Sequence, residues 1–321
     1  MGWQTTADLD KFLTAAGGYL CTQAAENIVL LTAANTARDT DDTRDGTRGG
    51  RSRNGDPLYG WWEPPDGAEP RGAFLHDPSA PLLIAVRAPE TAAALAAPLS
   101  RAGRLVSAVE ARDAAADAFA DAWRQRAGVA VKMHRSIHVH RLAGAISRYE
   151  SPPGRARSAT WADRELLVAW LRAFGNEVGD LTAIPEASAD GMLGYGGAVF
   201  WESDGNPVAM AMVAPAVAGV VRVSNLYTPP QHRGHAYAIA VLVAVSRAAL
   251  VGRAREVVFI TDSTRPMRHA SRLGFELIGE RAVLSFGPPT GPMPRVPMGP
   301  MPRMPTGPMP RMPTGPIPRF R

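Results

Sequence analysis

The alternation of apolar and polar positions divides the chain into short elements of two periods. Asp8 to Leu20 and Ala24 to Ala37 carry apolar residues at three- and four-residue spacing, which predicts two helices. The stretch 39–56 has no hydrophobe and is rich in Gly and charge, so it cannot offset its ordering entropy by burial. It is expected to be a mobile surface insertion. Leu58–Trp62, Gly72–His76 and Leu82–Arg87 are short apolar runs between Pro, Gly and Asp, and they predict strands. Pro89–Leu99 predicts a helix, Leu105–Val109 a strand and Ala111–Arg126 a helix. Val129–Leu142 reads as one long strand or a broken pair.

Residues 149–155 interrupt this pattern with Pro-Pro-Gly and read as a linker. The pattern then restarts: a strand at Ala156–Thr160 and an amphipathic helix at Trp161–Val178, with Leu166, Leu167, Trp170, Leu171 and Phe174 on one stripe. Ala198–Ser203 and Val208–Val213 form a hairpin about Asp204-Gly-Asn-Pro207. A strand at Val220–Thr228, an apolar helix at His235–Leu250, a strand at Val257–Thr261, a short helix at Arg265–Leu273 and a closing strand at Phe275–Phe286 follow. The same element order thus occurs twice, which predicts two related domains in tandem. From Gly287 onward 13 of the 29 prolines recur with a period of eight, starting at Gly291, Gly299, Gly307 and Gly315. Helix and sheet are both excluded there. The tail is expected to be disordered, either as a docking arm for a partner or as a neutral low-complexity extension.

The length of 321 residues suits roughly two domains at ~100–200 residues each. A hydrophobic content of 45% is enough for real cores, and one Cys excludes a disulfide scaffold and a cysteine-based zinc site. The formal charge of +5 suggests a nucleic-acid partner until it is apportioned: residues 287–321 hold five Arg and no acid. The remainder is neutral, so no nucleic acid is expected as a partner. Lys11 and Lys132 are the only lysines and neither follows a glycine, so there is no P-loop. No apolar run reaches the ~18–20 residues of a spanning helix, and the N-terminus does not read as a signal peptide. Gly2 and Thr6 match a myristoylation pattern too loose to carry weight. The expectation is a cytoplasmic protein without a membrane partner.

Chemistry concentrates in Ser224-Asn-Leu-Tyr-Thr-Pro-Pro-Gln-His-Arg-Gly-His-Ala-Tyr-Ala238. A strand ends at two prolines, a basic loop with Gly234 follows, and the loop opens into an apolar helix. A helix start presents unpartnered N–H groups and the positive end of the dipole, and a glycine lets the backbone approach an anion closely. Taken alone, this predicts a phosphate-containing ligand at a strand–loop–helix junction.

At these residues the chain resembles the GNAT N-acetyltransferase superfamily, whose acyl-CoA loop reads Gln/Arg-x-x-Gly-x-Gly/Ala. Here the loop is Gln231-His-Arg-Gly234-His-Ala236, and Ser271-Arg-Leu-Gly-Phe275 is similar to the family's Leu-Gly-Phe at the end of the next helix. The resemblance covers about 156–286. It implies an α/β (α+β) fold of two GNAT-like domains, each a mixed, mostly antiparallel sheet flanked by helices: 1–148 degenerate, 156–286 intact. It also implies acetyl-CoA as donor, no metal, and acetyl transfer to an amine of a small molecule or protein. By analogy, Leu226, Tyr227 and Thr228 pair with the pantetheine arm as a substitute strand. Gln231, Arg233, Gly234, His235 and Ala236, with Tyr237 and Ala238 at the helix start, hold the pyrophosphate. A backbone N–H near Leu226 would polarise the thioester carbonyl.

Three features depart from the family. Its Asn after the fifth strand corresponds to Ser263 or Thr264, and its Tyr acid to Ala270. No carboxylate lies on the Val220–Thr228 strand, which leaves Glu177 as the candidate base, the alternative being a solvated helix-end charge. A non-catalytic acetyl-CoA-binding sensor or scaffold is therefore the rival function, and a third reading makes the tail the working part.

The first half lacks a basic Gly loop: Leu82–Arg87 runs straight into Ala88-Pro-Glu90, which removes a donor and adds an acid. His134, His138 and His140 read as a surface or inter-domain strand rather than a metal site, and Cys21 as a buried inert thiol. Trp61 and Trp62 must face opposite ways, one of them into a core. His232 and His235 read as phosphate contacts or as solvent-facing loop residues, with His235 also a conceivable base, and no Gly-x-Ser-x-Gly elbow indicates a serine hydrolase.

Overall fold

The computed structural model describes residues 2–44, 55–65, 68–179, 185–262 and 270–289, and the series of elements in the first half recurs in the second, except that only one turn of 3₁₀ helix is described between the last two strands of the second half. The first half contains β1 (Gly2–Thr6), α1 (Leu9–Thr22), α2 (Ile28–Arg44), β2 (Leu58–Glu63), β3 (Gly72–His76) and β4 (Leu82–Val86). It continues with α3 (Pro89–Arg101), β5 (Ala108–Arg112), α4 (Asp113–Ala127) and β6 (Val129–Leu142). The second half contains β7 (Arg155–Ser158), α5 (Arg164–Val178), α6 (Pro185–Tyr195), β8 (Ala198–Ser203) and β9 (Asn206–Val213). It ends with β10 (Val220–Tyr227), α7 (Tyr237–Val251), β11 (Glu256–Asp262) and β12 (Glu276–Pro289).

Local chemistry sets the helix ends. The Asp8 carboxylate accepts the Lys11 N–H at 2.9 Å and starts α1. Thr160 and Asp163 form a reciprocal capping box ahead of α5. Gly179 ends α5 in the left-handed conformation, which a glycine adopts without steric penalty.

All twelve strands join one sheet in the order β1-β2-β3-β4-β5-β12-β6-β11-β10-β9-β8-β7. Among the described residues, only β4–β5 and β10–β11 are parallel. The order is the same from either edge: five strands of one half, then the last strand of the other. β6 had been expected to complete the first sheet and 275–286 the second, but each closes the opposite half instead. The cause is the pairing of two 14-residue strands, which run antiparallel from Glu276↔Arg141 to Pro289↔Val129. Crossing over gives both long strands neighbours on both sides, so neither leaves an open edge.

Helices cover both faces. α1 and α2 pack on β2–β4 and reach Val139, Val220 and Val258 in the central strands. α3 and α4 cover the opposite face of the first half. α7 packs on Ala209, Ala211 and Val223, while α5 and α6 cover Met210, Met212 and Tyr227 on the other side of the same strands.

Several expectations are corrected. The segment 39–44 continues α2 as helix, and the rest of the expected insertion to residue 54 lies outside the described residues. The strand expected at 105–109 lies at 108–112, because pairing with β4 and β12 fixes its register, and Leu105 is exposed. β1 and α6 were not anticipated. In α6, Gly191 and Gly194 weaken the helical pattern, but Ala189 and Leu193 are buried and Arg164 holds Asp190 at 2.6 and 2.9 Å. Cys21 is exposed, not buried, in the last turn of α1. Trp61 is buried and Trp62 half-buried, edge-on to Trp3. The tail expected to be free of sheet from Gly287 begins instead as the end of β12, which runs to Pro289 opposite Val129, and from residue 290 it lies outside the described residues. Of the helix expected over Arg265–Leu273, residues 265–269 lie outside the described residues and Ser271–Leu273 form one turn of 3₁₀ helix.

The histidine strand is β6, in the middle of the sheet. His138 lies 3.5 Å from Glu280, and the His140 ring stacks on Phe259 at 4.5 Å. Burial, reinforced by His138, pushes the His140 pKa down to about 4, and its Nε2 is shut off without a hydrogen-bond partner. The fold therefore favours the neutral ring. Its contribution is complete above the unfolded value near 6.5 and is lost as pH falls from there through about 4. Stability should drop by up to about 3 kcal/mol over that window from this group alone. Urea unfolding at pH 7 and pH 4 should show that drop, and His140→Phe, which keeps the stack, should reduce it.

Candidate functional site

Two strands part company at the centre of the second half. β10 and β11 pair in parallel from Val220↔Glu256 to Val223↔Phe259 and no further. Beyond that point β10 stays with β9 as far as Tyr227↔Met210, while β11 stays with β6 as far as Asp262↔Ile137. A register shift between Ser224 and Tyr227 marks a bulge in β10, and Asn225 sits there at φ +48. Asn tolerates the left-handed region better than other side chains. A bulge bends and twists its strand, so beyond Val223 no strand among the described residues pairs with β10 on the β11 side.

The chain leaves this edge through one turn of 3₁₀ helix at Pro230–His232 and enters α7 at Tyr237. Gly234 has φ +86 and Ala236 φ +59, so the backbone curls into a concave turn. Among the described residues, the N–H groups of Gly234, His235, Ala236, Tyr237, Ala238 and Ile239 have no acceptor. The first helical bond is from Ala240 N–H to the Ala236 carbonyl at 3.0 Å. Six successive free donors at the positive end of a 15-residue helix form an anion cradle.

Side chains brace the loop. Arg233 donates from Nε to the Thr228 carbonyl at 3.0 Å and from Nη2 to both Glu177 oxygens at 2.8 and 2.7 Å. Glu177, put forward as a base, is thus brought to the loop as the partner of Arg233. His235 is exposed and stacks on Tyr237 at 5.4 Å. Gln231 lies at the rim of a groove shared with Trp170, His232 and Tyr237. Leu226 is half-buried; Tyr227 is buried against Trp170 and Phe174. The Tyr149 hydroxyl lies 3.5 Å from the Ala236 carbonyl, a loop contact from what had read as plain linker. Ala270, at the position of the family's acid, is buried beside Leu273 and Phe275, while Ser263 and Thr264 lie outside the described residues.

A cavity of about 190 Å³ opens between the parting strands and the helices α2, α5 and α6. Ser224, Asn225 and Thr261 line it at the parting, with Phe174 from α5 and Val29 from α2. Its charged residues are Glu110, Arg135, Arg222 and Asp262, two of them from the first half. Glu110 accepts from Arg281 at 2.9 Å and Arg135 faces Asp262 at 3.5 Å. Arg222 alone has no such partner: its Nε is shut off from water and makes no hydrogen bond. Burial lowers the Arg222 pKa, opposed by the charges of Glu110 and Tyr195. Sequence reasoning missed this residue, although an arginine inside Val220-Val-Arg-Val223 was a visible anomaly.

The matching place in the first half is built differently. β4 leads to α3 across Arg87 and Ala88 alone, and α3 opens with Pro89, which has no N–H. The Tyr19 hydroxyl reaches the Ala85 carbonyl at 3.4 Å, and Glu26 pairs with Arg112 at 2.7 Å. These side chains from the α1–α2 region lie on the first half's parallel pair. Among the described residues there is no cluster of three or more His, Cys, Asp or Glu side chains able to hold a metal ion.

No family model and no curated protein sequence matches the chain. Among solved structures it is similar to a GCN5-related N-acetyltransferase from Sphaerobacter thermophilus, with TM-score 0.52 and 16% identity, over 88% of this chain and 94% of that one. It is also similar to a Drosophila protein, with TM-score 0.63 and 12% identity, over 90% of this chain and 99% of that one. At such identities the likeness is one of fold, and it runs through both halves. The chain has the fold of the GNAT N-acetyltransferase superfamily, as its loop and Leu-Gly-Phe implied.

The bulge offers a direct structural test. A β-branched residue tolerates φ +48 poorly, so Asn225→Val should destabilise the protein by about 1–3 kcal/mol. Asn225→Gly should stay close to wild type. Urea midpoints of the two variants measure the difference.

Proposed function

We propose that the protein is an acyl-CoA-dependent N-acyltransferase that moves an acetyl group from acetyl-CoA to an amine. The run of free N–H groups from Gly234 to Ile239, directly after a strand with an open inner edge, is the observation that carries this reading. The pyrophosphate sits on those donors, with Arg233 held over the loop by Glu177. The pantetheine arm pairs with Leu226, Tyr227 and Thr228 as an added strand, through main-chain groups. The thioester then reaches the parting of β10 and β11, at the mouth of the cavity. We read the two halves as copies of one unit, the first of which lost the loop and now supplies Val29, Glu110, Arg135 and Ile137 to the wall of the acceptor cavity.

The reaction needs little covalent help from the protein. The neutral amine attacks the thioester carbonyl carbon, a C–N bond forms, and the carbonyl oxygen takes negative charge that a backbone N–H near Leu226 stabilises. The C–S bond breaks, and sulfur leaves with the electron pair and takes a proton. The amine's surplus proton passes to water, because Glu110, Asp262 and Glu177 each face a guanidinium. In this scheme Glu177 is a positioning residue. Ala270 offers no proton to the sulfur, so the thiolate is reprotonated by solvent. That same residue is what favours the rival reading, an acetyl-CoA-binding sensor without turnover.

Calorimetry with acetyl-CoA, followed by free-thiol release over a panel of amines, tests the reading. Acetyl-CoA should bind, and at least one amine should release thiol above the hydrolytic background. Binding without any amine-dependent release would favour the sensor, and no binding would remove both. Gly234→Glu places a carboxylate in the cradle at φ +86 and should weaken acetyl-CoA by on the order of 100-fold or more. A Cβ at this position meets nothing within 4 Å, but φ +86 strains any other residue, so Gly234→Ala, which brings the strain without the charge, is the control and should weaken acetyl-CoA much less.

A further inference from the structure

The cavity at the parting strands contains one charge that no described side chain meets in a hydrogen bond or ion pair, although the Glu110 carboxylate acts on it from nearby. Of its four ionised side chains, Glu110 is taken by Arg281 at 2.9 Å, and Arg135 and Asp262 face each other at 3.5 Å. Arg222 remains. Among the described residues it makes no hydrogen bond and no ion pair, and its Nε is closed to water. Arg222 is half-buried with its Nε closed to water, and a partly desolvated charge whose donors lack partners is unfavourable, whereas an apolar side chain of similar length would pack there without that penalty. Its neighbours Val220, Val221 and Val223 are all buried apolar residues. The strand therefore carries this arginine against its own stability, which points to a ligand that completes it.

Arg222 also stands in a telling position. It precedes Ser224 and Asn225 on β10, the two residues of that strand that line the cavity where β10 leaves β11. A guanidinium is a planar fork of donors that matches a carboxylate at two points. One uncompensated positive charge answers the single charge of a carboxylate, while a phosphate monoester carries nearly two. The cavity, about 190 Å³, is of a size that suits a small molecule.

We propose that the acceptor is a small amine that carries its own carboxylate, such as an amino acid, and that Arg222 anchors that carboxylate so that the amine meets the thioester. This rests on the acetyltransferase reading above and narrows it, since a protein N-terminus brings no carboxylate beside its amine. The acceptor nitrogen loses a proton to water and bonds to the acetyl carbon. Sulfur departs with the C–S electron pair and is protonated, giving CoA and an N-acetylamino acid. The product keeps its carboxylate on Arg222, and its nitrogen is no longer basic.

The test uses matched pairs that differ only in the charged group: glycine and glycinamide, alanine and alaninamide, β-alanine and β-alaninamide. Each is titrated calorimetrically into the full-length protein with and without CoA, and each is assayed for thiol release with acetyl-CoA. The acid of at least one pair should bind, and turn over with a kcat/KM, about 100-fold better than its amide. Arg222→Met should erase that preference through the acceptor KM while raising the melting temperature, because it removes a half-buried charge that lacks a direct partner. Arg222→Lys, which keeps the charge without the fork, should retain part of the preference and covers the case in which the Met variant misfolds. Acids and amides behaving alike, neither binding, or a preference that survives in Arg222→Met would each overturn the proposal. Arg222-dependent binding of amino acids in a protein that does not bind acetyl-CoA would keep the anchor and remove the acetyltransferase reading instead.

Discussion

The site depends on a competition among strands for backbone partners. β10 and β11 are neighbours, but each has a second neighbour that holds it longer. β9 keeps β10 to Tyr227 and β6 keeps β11 to Asp262, whereas the two hold each other only to Val223↔Phe259. A parallel pair that parts leaves N–H and C=O groups facing a gap, which is unfavourable in a buried place unless something pairs with them. The bulge at Asn225 fixes where the parting begins. In the proposed reading the gap has two uses at once: its edge pairs with the cofactor's extended arm, and its floor opens into the cavity that Arg222 lines.

The exchange of the last strands explains why this gap is held firmly. β6 belongs to the first half by sequence, yet it forms the far wall of the parting through its pairing with β11. β12 returns the exchange by pairing with β5, and Arg281 on β12 ties Glu110 on β5 at 2.9 Å. The charged floor of the cavity is therefore assembled from both halves and from both crossing strands. A half without a cradle of its own still shapes the site through Val29, Glu110, Arg135 and Ile137.

Much of this was legible in the residues. Periodicity located most strands and helices, and the loop Gln231–Ala236 stands at the strand–helix junction its glycine and basic residues implied. What escaped was decided by tertiary pairing. The β5 strand reads Ala-Val-Glu-Ala-Arg, with a weak strand signal of its own, and its register comes from β4 and β12. Local patterns do not show which sheet a terminal strand will join, so the exchange of β6 and β12 was invisible. Glu177 was singled out as a carboxylate near the site, and only the folded chain brings Arg233 against it. Arg222 was the opposite case: its charge in an apolar strand was plain, but that no described side chain pairs with it is a property of the cavity alone.

Amide hydrogen exchange with and without acetyl-CoA tests the central claim at the residues that carry it. Protection should appear on ligand addition at Gly234 to Ile239 and along Leu226 to Thr228, because the free donors and the open edge gain acceptors together. The junction of β4 and α3 in the first half should stay unchanged. Protection centred on that first-half junction, or none at either place at saturating acetyl-CoA, would contradict the account.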